Sequence, residues 1–413
     1  MGRRSPYDRY VEEPQPSGPL AGLRVVDLST VLAGPYCTML LADLGANVIK
    51  VEPPEGDATR AWGPPWVGPE EGPRVAAYYL AVNRNKRSIG LDLRRREGLE
   101  VARRLVGRSD VLVENFRPGG LERLGLDDGV LEKINPRLVH LAITGFGPDG
   151  PDAARPGYDF VAQAVGGLMS ITGFPDEEGG QPTKVGVAIS DVVTGLLGTI
   201  GVLAGIRSGQ GQRVEVSLLE STLAMLINQA QNAFVSGESP GRRGNSHPNI
   251  VPYETFATSD GQIVVAVGSE RQWERLCSAL DLARLAADPR FATNDARVRN
   301  RAALRPMLAA GFAAVPSAVW LARLTAADVP CGAVNDILAA FAEPAAQARG
   351  MDARIEHPLL GMIRQVGIPM TLSRTPAAIR NPPPLLGEQT DEILAELGYD
   401  SATIADLHTH RVV

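Results

Sequence analysis

Cysteine is scarce: Cys37, Cys277 and Cys331 are the only three, and they stand far apart. An odd, scattered set builds neither a disulfide framework nor a thiolate zinc site, and it fits a reducing, cytoplasmic setting. The five histidines, His140, His247, His357, His408 and His410, form no cluster with carboxylates at metal-ligand spacing, so no metal is expected. An excess of positive charge is missing too, since 41 Lys and Arg against 47 Asp and Glu leave −6. Proteins that grip nucleic acid carry a basic footprint that displaces counterions, so no nucleic-acid partner is expected. The N-terminal stretch MGRRSPYDRYVEEPQPSGP lacks the apolar core of a signal peptide and reads as a loose extension over residues 1–19. The most apolar segment, Val192 to Ile206, is broken by glycines and threonines and falls short of the roughly 18 residues a membrane span needs. It reads as a buried helix, and no membrane partner is expected.

Glycine (44) and proline (32) are plentiful, but they sit between periodic segments, which signals many tight turns and not low complexity. A chain of 413 residues is too long for one core and suggests two or three domains. In the first half, strand-like and helix-like segments alternate. LRVVDL, NVIKVE, DVLVEN and the strand before ITGFG are short apolar runs. YCTMLLADLGA and EGLEVARRLVGRS carry helical spacing. Such alternation means parallel strands joined by crossover helices and covered on both faces. GQRVEVS leads into one long helix from about Ser217 to Phe234. Residues 20–225 form the first part of a large α/β domain, and 226–340 a smaller α+β domain with a hairpin around Ser259-Asp260-Gly261. Residues 341–413 return to the large domain, because a proline-rich segment alone would bury little.

Several residues admit a chemical and a plain reading. Asp191 follows the strand-like KVGVAIS at the head of an apolar helix. It is either an N-cap, accepting from the free N–H groups of the first turn, or a fixed carboxylate nucleophile. The helix dipole favours its anion and burial opposes it, so spacing alone does not choose. The loop VENFRPGGLERLGL follows a parallel strand, beyond whose carboxyl end ligands bind in doubly wound sheets. There Asn115, Phe116, Arg117 and Arg123 offer an amide, an aromatic face and two cations, or else simply line a solvated loop. The basic run from Asn83 to Arg96 is mostly a solvated face, although a phosphate-bearing ligand needs some such cations. His247, in a polar glycine-rich loop, is either an ordinary loop histidine or a binding group. No GxSxG or phosphate-binding P-loop is present, and the first strand–helix turn reads STVLAGP in place of GxGxxG, which weakens a dinucleotide reading.

The opening PLAGLRVVDLSTVLAGPYCTMLLADLGANVIKVEPPEGD resembles the class III CoA-transferases, the CaiB/BaiF or formyl-CoA transferase family. NRNKRSIGLDL, DVLVENFRPGGLERLGL, ITGFGPDGP, RPGYDFVAQAVGGLMSITG, KVGVAISDVVTG, GQRVEVSLLE, GNSHPNIVPYE, VPCGAVN and NPPPLLGEQT match in order, from Pro19 almost to the end. The resemblance implies a Rossmann-like, CoA-binding large domain, a smaller domain, and an interlocked homodimer. It implies Asp191 as nucleophile, passing CoA through aspartyl anhydride and aspartyl-CoA thioester intermediates, with a CoA thioester as substrate and no permanently bound cofactor. Val31, Leu91, Asn115, Phe116, Arg123 and Tyr158 are placed along CoA, and Tyr78 and His247 at the substrate. Some relatives place an arginine for the CoA nucleotide where this chain has Pro53, so that contact passes to Arg60 or Arg117. Formyl-CoA transferases carry a polyglycine loop where this chain has GNSHPN, similar to members acting on longer acids or dicarboxylates. Arg242, Arg243 or His247 is therefore expected to hold an acceptor carboxylate, with succinyl-CoA as donor.

Three other functions fit less well. The 2-methylacyl-CoA racemases of the same superfamily pair the aspartate with a histidine, whereas this chain has Tyr158 there, a poor base at neutral pH. A noncatalytic CoA-binding protein requires Asp191 to be only a cap. An NAD-dependent oxidoreductase lacks its glycine fingerprint.

Overall fold

A computed structural model describes residues 18–72 and 74–413, so the extension expected at 1–19 lies almost wholly outside the described residues. Six strands, β1 (Arg24–Asp27), β2 (Asn47–Glu52), β3 (Lys86–Gly90), β4 (Val111–Glu114), β5 (Val139–Thr144) and β6 (Gln212–Ser217), form one sheet. Every pairing in it is parallel, and the spatial order is β3-β2-β1-β4-β5-β6. This is the doubly wound order, in which the direction of winding reverses between β1 and β4.

Period-two side chains divide the strands between two cores. On one face Val26, Val51, Ile89 and Leu112 pack with α2 (Arg96–Gly107), through Val101, Leu105 and Val106. The C-terminal helices Thr390–Glu396 and Ser401–Thr409 close that core with Ile393, Leu394 and Leu407. On the other face Val25, Val48, Val113, Leu141 and Ile143 meet α1 (Ala33–Asp43) through Cys37 and Leu41. Both faces are thus covered, which is why these strands read as unbroken apolar runs.

The chain divides into two compact units. The first comprises the chain up to Gly166, Gly186–Leu226 and Pro344–Val413. The second comprises Gly167–Val185 and Ile227–Glu343, so it takes in a segment that the sequence pattern places with the first. Its antiparallel sheet, Tyr253–Ala257, Gln262–Ala266 and Cys331–Ala333, packs helices around Trp273, Phe291, Phe312 and Trp320.

Three local expectations are corrected. The single helix expected from Ser217 to Phe234 breaks at the boundary between units, into Leu218–Met225 and Ile227–Ser236, where Ile227 adopts φ +38°. The run KVGVA before Asp191 is not a strand. The apolar helix spans Ile189–Ser208, 20 residues, and is long and apolar enough to cross a membrane by length and composition. Only one side of it packs. Gly195 and Gly198 let it lie close, since a Cβ would come 2.7 Å from the Ala33 carbonyl oxygen at the first and 2.9 Å from Leu141 at the second. Leu196 and Ile200 on the other side stay exposed.

The basic run Asn83–Arg96 is not mainly a solvated face either. Asn83, Arg84, Asn85 and Lys86 are buried, because each buried cation finds a carboxylate: Arg84 pairs with Asp43 at 2.7 Å and Lys86 with Asp27 at 3.0 Å.

Candidate active site

The loops after β1 and β4 meet at the point where the winding reverses. Asn115 joins them: its Oδ1 accepts from the Thr30 amide at 2.9 Å and its Nδ2 donates to the Thr30 carbonyl at 2.8 Å. The next residue, Val31, holds φ +71°, a left-handed conformation that a β-branched side chain rarely adopts. The two loops line a cavity of about 190 Å3 that also takes in Arg117, Arg155, Tyr158 and Asp191.

Asp191 sits in the first turn of α3, the helix Ile189–Ser208, but does not cap it. The N-cap is Ala188, without a side-chain bond. The Ser190 amide instead donates to Asp159 Oδ1 at 2.8 Å, while Asp159 Oδ2 accepts from Gln163 at 2.8 Å. Asp191 is thereby left without a hydrogen-bond partner among the described residues. Burial first, and the Asp159 charge second, push its carboxyl up to about 7. Tyr78 lies in the same electrostatic neighbourhood. Burial, then Asp191, Asp159 and Asp57, raise its hydroxyl to about 12, so it remains a hydrogen-bond donor at neutral pH. Its ring meets Trp62 edge-on at 5.2 Å.

Of the residues expected along a ligand, Val31, Asn115, Phe116, Tyr158 and Asp191 line one cavity. Arg123 does not line it and is exposed on the short helix Gly120–Arg123. The Leu91 side chain is wholly buried in the first core, so only its main chain could meet a ligand. Arg60 is committed elsewhere: it bonds both oxygens of Glu52 at 2.7 Å and Tyr79 Oη at 2.6 Å. Arg117 has no such commitment. Arg155 is a cavity cation that sequence reasoning missed, stacked 4.5 Å over the Phe146 ring; its only signal was its place in the motif RPGYD. No metal-binding group of three His, Cys, Asp or Glu occurs among the described residues.

In the second unit, His247 accepts the Asn249 amide at Nδ1, 3.1 Å away, which leaves its Nε2 to carry the proton and donate. Burial and Arg301 lower its pKa. A separate cavity of that unit is lined by Ser246, Arg242, Arg243, Arg301 and Arg305. Arg242 pairs with Asp176 and Arg305 with Glu254, and Arg301 donates to the His247 and Pro248 carbonyls. Arg243 makes no side-chain hydrogen bond or ion pair among the described residues.

Similarity to known proteins runs along the whole chain. The profile of CoA-transferase family III matches residues 20–390. The succinate–glutarate CoA-transferase of Agrobacterium fabrum is 45% identical over 395 residues, 93% of this chain and 97% of that protein. The human succinyl-CoA:glutarate CoA-transferase is 41% identical over 401 residues, covering 96% and 90%. The crystal structure of a CaiB/BaiF family protein from Brucella suis superposes with a TM-score of 0.81 at 45% identity, over 92% of this chain and 100% of that one. A doubly wound fold with its cavity at the winding reversal and relatives this similar over nearly the full length lead to one conclusion: the chain belongs to CoA-transferase family III, the CaiB/BaiF family, and is a CoA-transferase.

Proposed function

We propose that the enzyme moves CoA from succinyl-CoA to a second dicarboxylic acid such as glutarate, with Asp191 as the covalent carrier. The observation that carries this reading is the Asp191 carboxylate, unpartnered and lining the cavity between the two loops. The names of the two curated relatives supply the acids.

The chemistry follows from the groups present. Ionised Asp191 attacks the thioester carbonyl, the C–S bond breaks, and CoA thiolate leaves a mixed anhydride. The thiolate attacks the aspartyl carbonyl of that anhydride, which gives an aspartyl-CoA thioester and frees succinate. The acceptor carboxylate attacks this thioester, CoA thiolate leaves again, and its return to the acceptor's acyl carbon regenerates Asp191. Covalent relay divides one hard exchange between two acids into easier steps. Tyr78, protonated throughout, donates to the developing oxyanion. Val31, Asn115, Phe116 and Tyr158 hold the CoA arm, with Arg117 and Arg155 as its cations and Arg123 toward its outer end. His247 and Arg243 hold the free carboxylate of the acid, His247 as a neutral donor and Arg243 as the charge.

The functional form is proposed to be the interlocked homodimer of the family, in the cytoplasm. In support, the large apolar side chains of Ile200, Ile227 and Phe234 are 62%, 75% and 80% exposed and would be covered by a partner subunit. The three cysteines are unpaired, as in a reducing compartment.

Intact-protein mass spectrometry after incubation with succinyl-CoA tests the central step. A CoA-sized adduct is expected in the native enzyme and not in Asp191→Asn. Its persistence in the variant, or deuterium exchange at the α-carbon without any adduct, overturns the proposal, the second outcome in favour of racemisation.

A further inference from the structure

Beneath the cavity loop lies a buried charge cluster that the proposed chemistry does not use. Asp27 closes β1, and its carboxylate accepts from the Ser29 amide at 3.0 Å and from Thr38 Oγ1 at 2.6 Å. Lys50 of β2 and Lys86 of β3 reach the same place, with side chains wholly buried. Each ammonium has a carboxylate partner, Asp57 at 2.9 Å for Lys50 and Asp27 at 3.0 Å for Lys86. Each also spends a donor on the main chain. Lys50 Nζ donates to the Ser29 carbonyl at 2.9 Å, and Lys86 Nζ to the Pro35 carbonyl at 2.9 Å. Those two carbonyls stand at the two ends of the segment Thr30–Gly34, whose first four residues line the cavity.

The segment closes tightly on itself, for a Cβ on Gly34 would come 2.2 Å from Ser29 Oγ. At its centre Val31 is left-handed, a conformation that persists only where the surroundings over-determine it. Asn115 fixes Thr30 from one side, and the lysines fix the ends from below. Buried ion pairs gain little stability over apolar packing, so two of them whose spare donors converge on one strained segment call for another explanation.

We propose that Lys50 and Lys86 are positioning residues: by locking the Ser29 and Pro35 carbonyls they hold Val31 left-handed and preform the CoA-binding wall before substrate arrives. The ligand named here rests on the proposed function; the clamp itself does not.

The test separates the two. In the native protein without ligand, the peptide spanning residues 29–36 is expected to exchange its amide hydrogens slowly, and desulfo-CoA to change that little. Complete exchange within seconds, with protection appearing only on ligand addition, overturns the clamp. The charge-balanced pair Asp27→Asn with Lys86→Met leaves no lone buried charge, and Lys50→Met tests the other end. In whichever variant circular dichroism shows to be folded, exchange of this peptide is expected to quicken. Its Kd for desulfo-CoA is expected to rise tenfold or more, while kcat at saturation falls less than threefold. Adding Val31→Gly, which reaches positive φ without strain, is expected to recover part of the lost affinity. A folded variant with native exchange and a Kd within twofold of native overturns the proposal. Failure of the native protein to bind desulfo-CoA sinks the functional reading alone, because the exchange comparison still decides the clamp.

Discussion

Asp159 takes the amide beside Asp191 and at the same time raises the Asp191 pKa by its charge. One carboxylate of the pair, Asp159, is hydrogen-bonded by Ser190 and Gln163. The other, Asp191, is unpartnered in the cavity and titrates near 7. Asp159 is thus held by two donors, whereas Asp191 is left free for the covalent role proposed for it.

Replacing Asp159 with Asn therefore shifts the pH dependence of the reaction. The amide oxygen of Asn still accepts from Ser190, so the helix entry survives, while the like charge disappears. The acidic limb of kcat/KM for succinyl-CoA, set near pH 7 in the native enzyme, is expected to move down by about one pH unit. A profile unchanged in a folded Asp159→Asn variant would show that burial alone sets the Asp191 pKa.

Linkage gives a stability prediction from the same displaced titration. In the unfolded chain Asp191 loses its proton near 3.8, in the folded protein near 7. Between these values the folded state binds the extra proton, so this group's contribution falls as pH rises from about 4 to 7 and is flat above. Asp191→Asn removes the ionising group. It is expected to raise stability at pH 8 by about 2 kcal/mol, roughly half of what a move from 3.8 to about 7 implies, because cavity water screens the charge. Urea unfolding at pH 5 and pH 8 checks it: the gain belongs mostly to the higher pH.

How much of this was legible in the sequence depends on what each residue interacts with. The parallel sheet was legible because strands buried on both faces leave continuous apolar runs such as NVIKVE. Asp191, Asn115 and Phe116 were legible through motifs. Lys86 and Arg84 were not: a run of cations looks solvated, and their carboxylates, Asp27 and Asp43, lie far away in sequence. The burial of the Leu91 side chain was not legible, because a motif position says nothing of which way a side chain points. The break at Ile227 was hidden since the helical period continues across it, and only the division into units interrupts the backbone.

Arg60 and Arg117 were interchangeable candidates in the sequence and are predicted to behave oppositely. Arg60→Ala leaves Glu52, which is wholly buried, without its bidentate partner. The expected loss is about 3–5 kcal/mol in stability, read by thermal or urea unfolding. Arg117→Ala strands no buried charge and is expected to leave stability within about 0.5 kcal/mol. It instead raises the KM for succinyl-CoA about tenfold, an effect that weakens as salt is added. An Arg60→Ala protein with native stability would show that the Glu52 carboxylate is satisfied without it.

His247 gives the sharpest check on recognition of the acid. Its Nδ1 is occupied by the Asn249 amide, and burial with Arg301 nearby keeps the ring neutral at pH 7, so only the Nε2 proton is offered to a carboxylate. His247→Ala loses that donor, and one hydrogen bond to a charged group corresponds to roughly tenfold or more in KM. Glutarate and succinyl-CoA both carry a free carboxylate and are expected to suffer together, whereas acetyl-CoA, tested as donor with the same acceptor, has none and keeps its KM. His247→Gln places an amide N–H near the position of Nε2 and is expected to restore most of the loss. Because the ring is already neutral, the glutarate KM of the native enzyme is expected to stay flat between pH 7 and 8.5. A KM that climbs across that range, or an acetyl-CoA KM that rises with the others in His247→Ala, would remove His247 from carboxylate recognition.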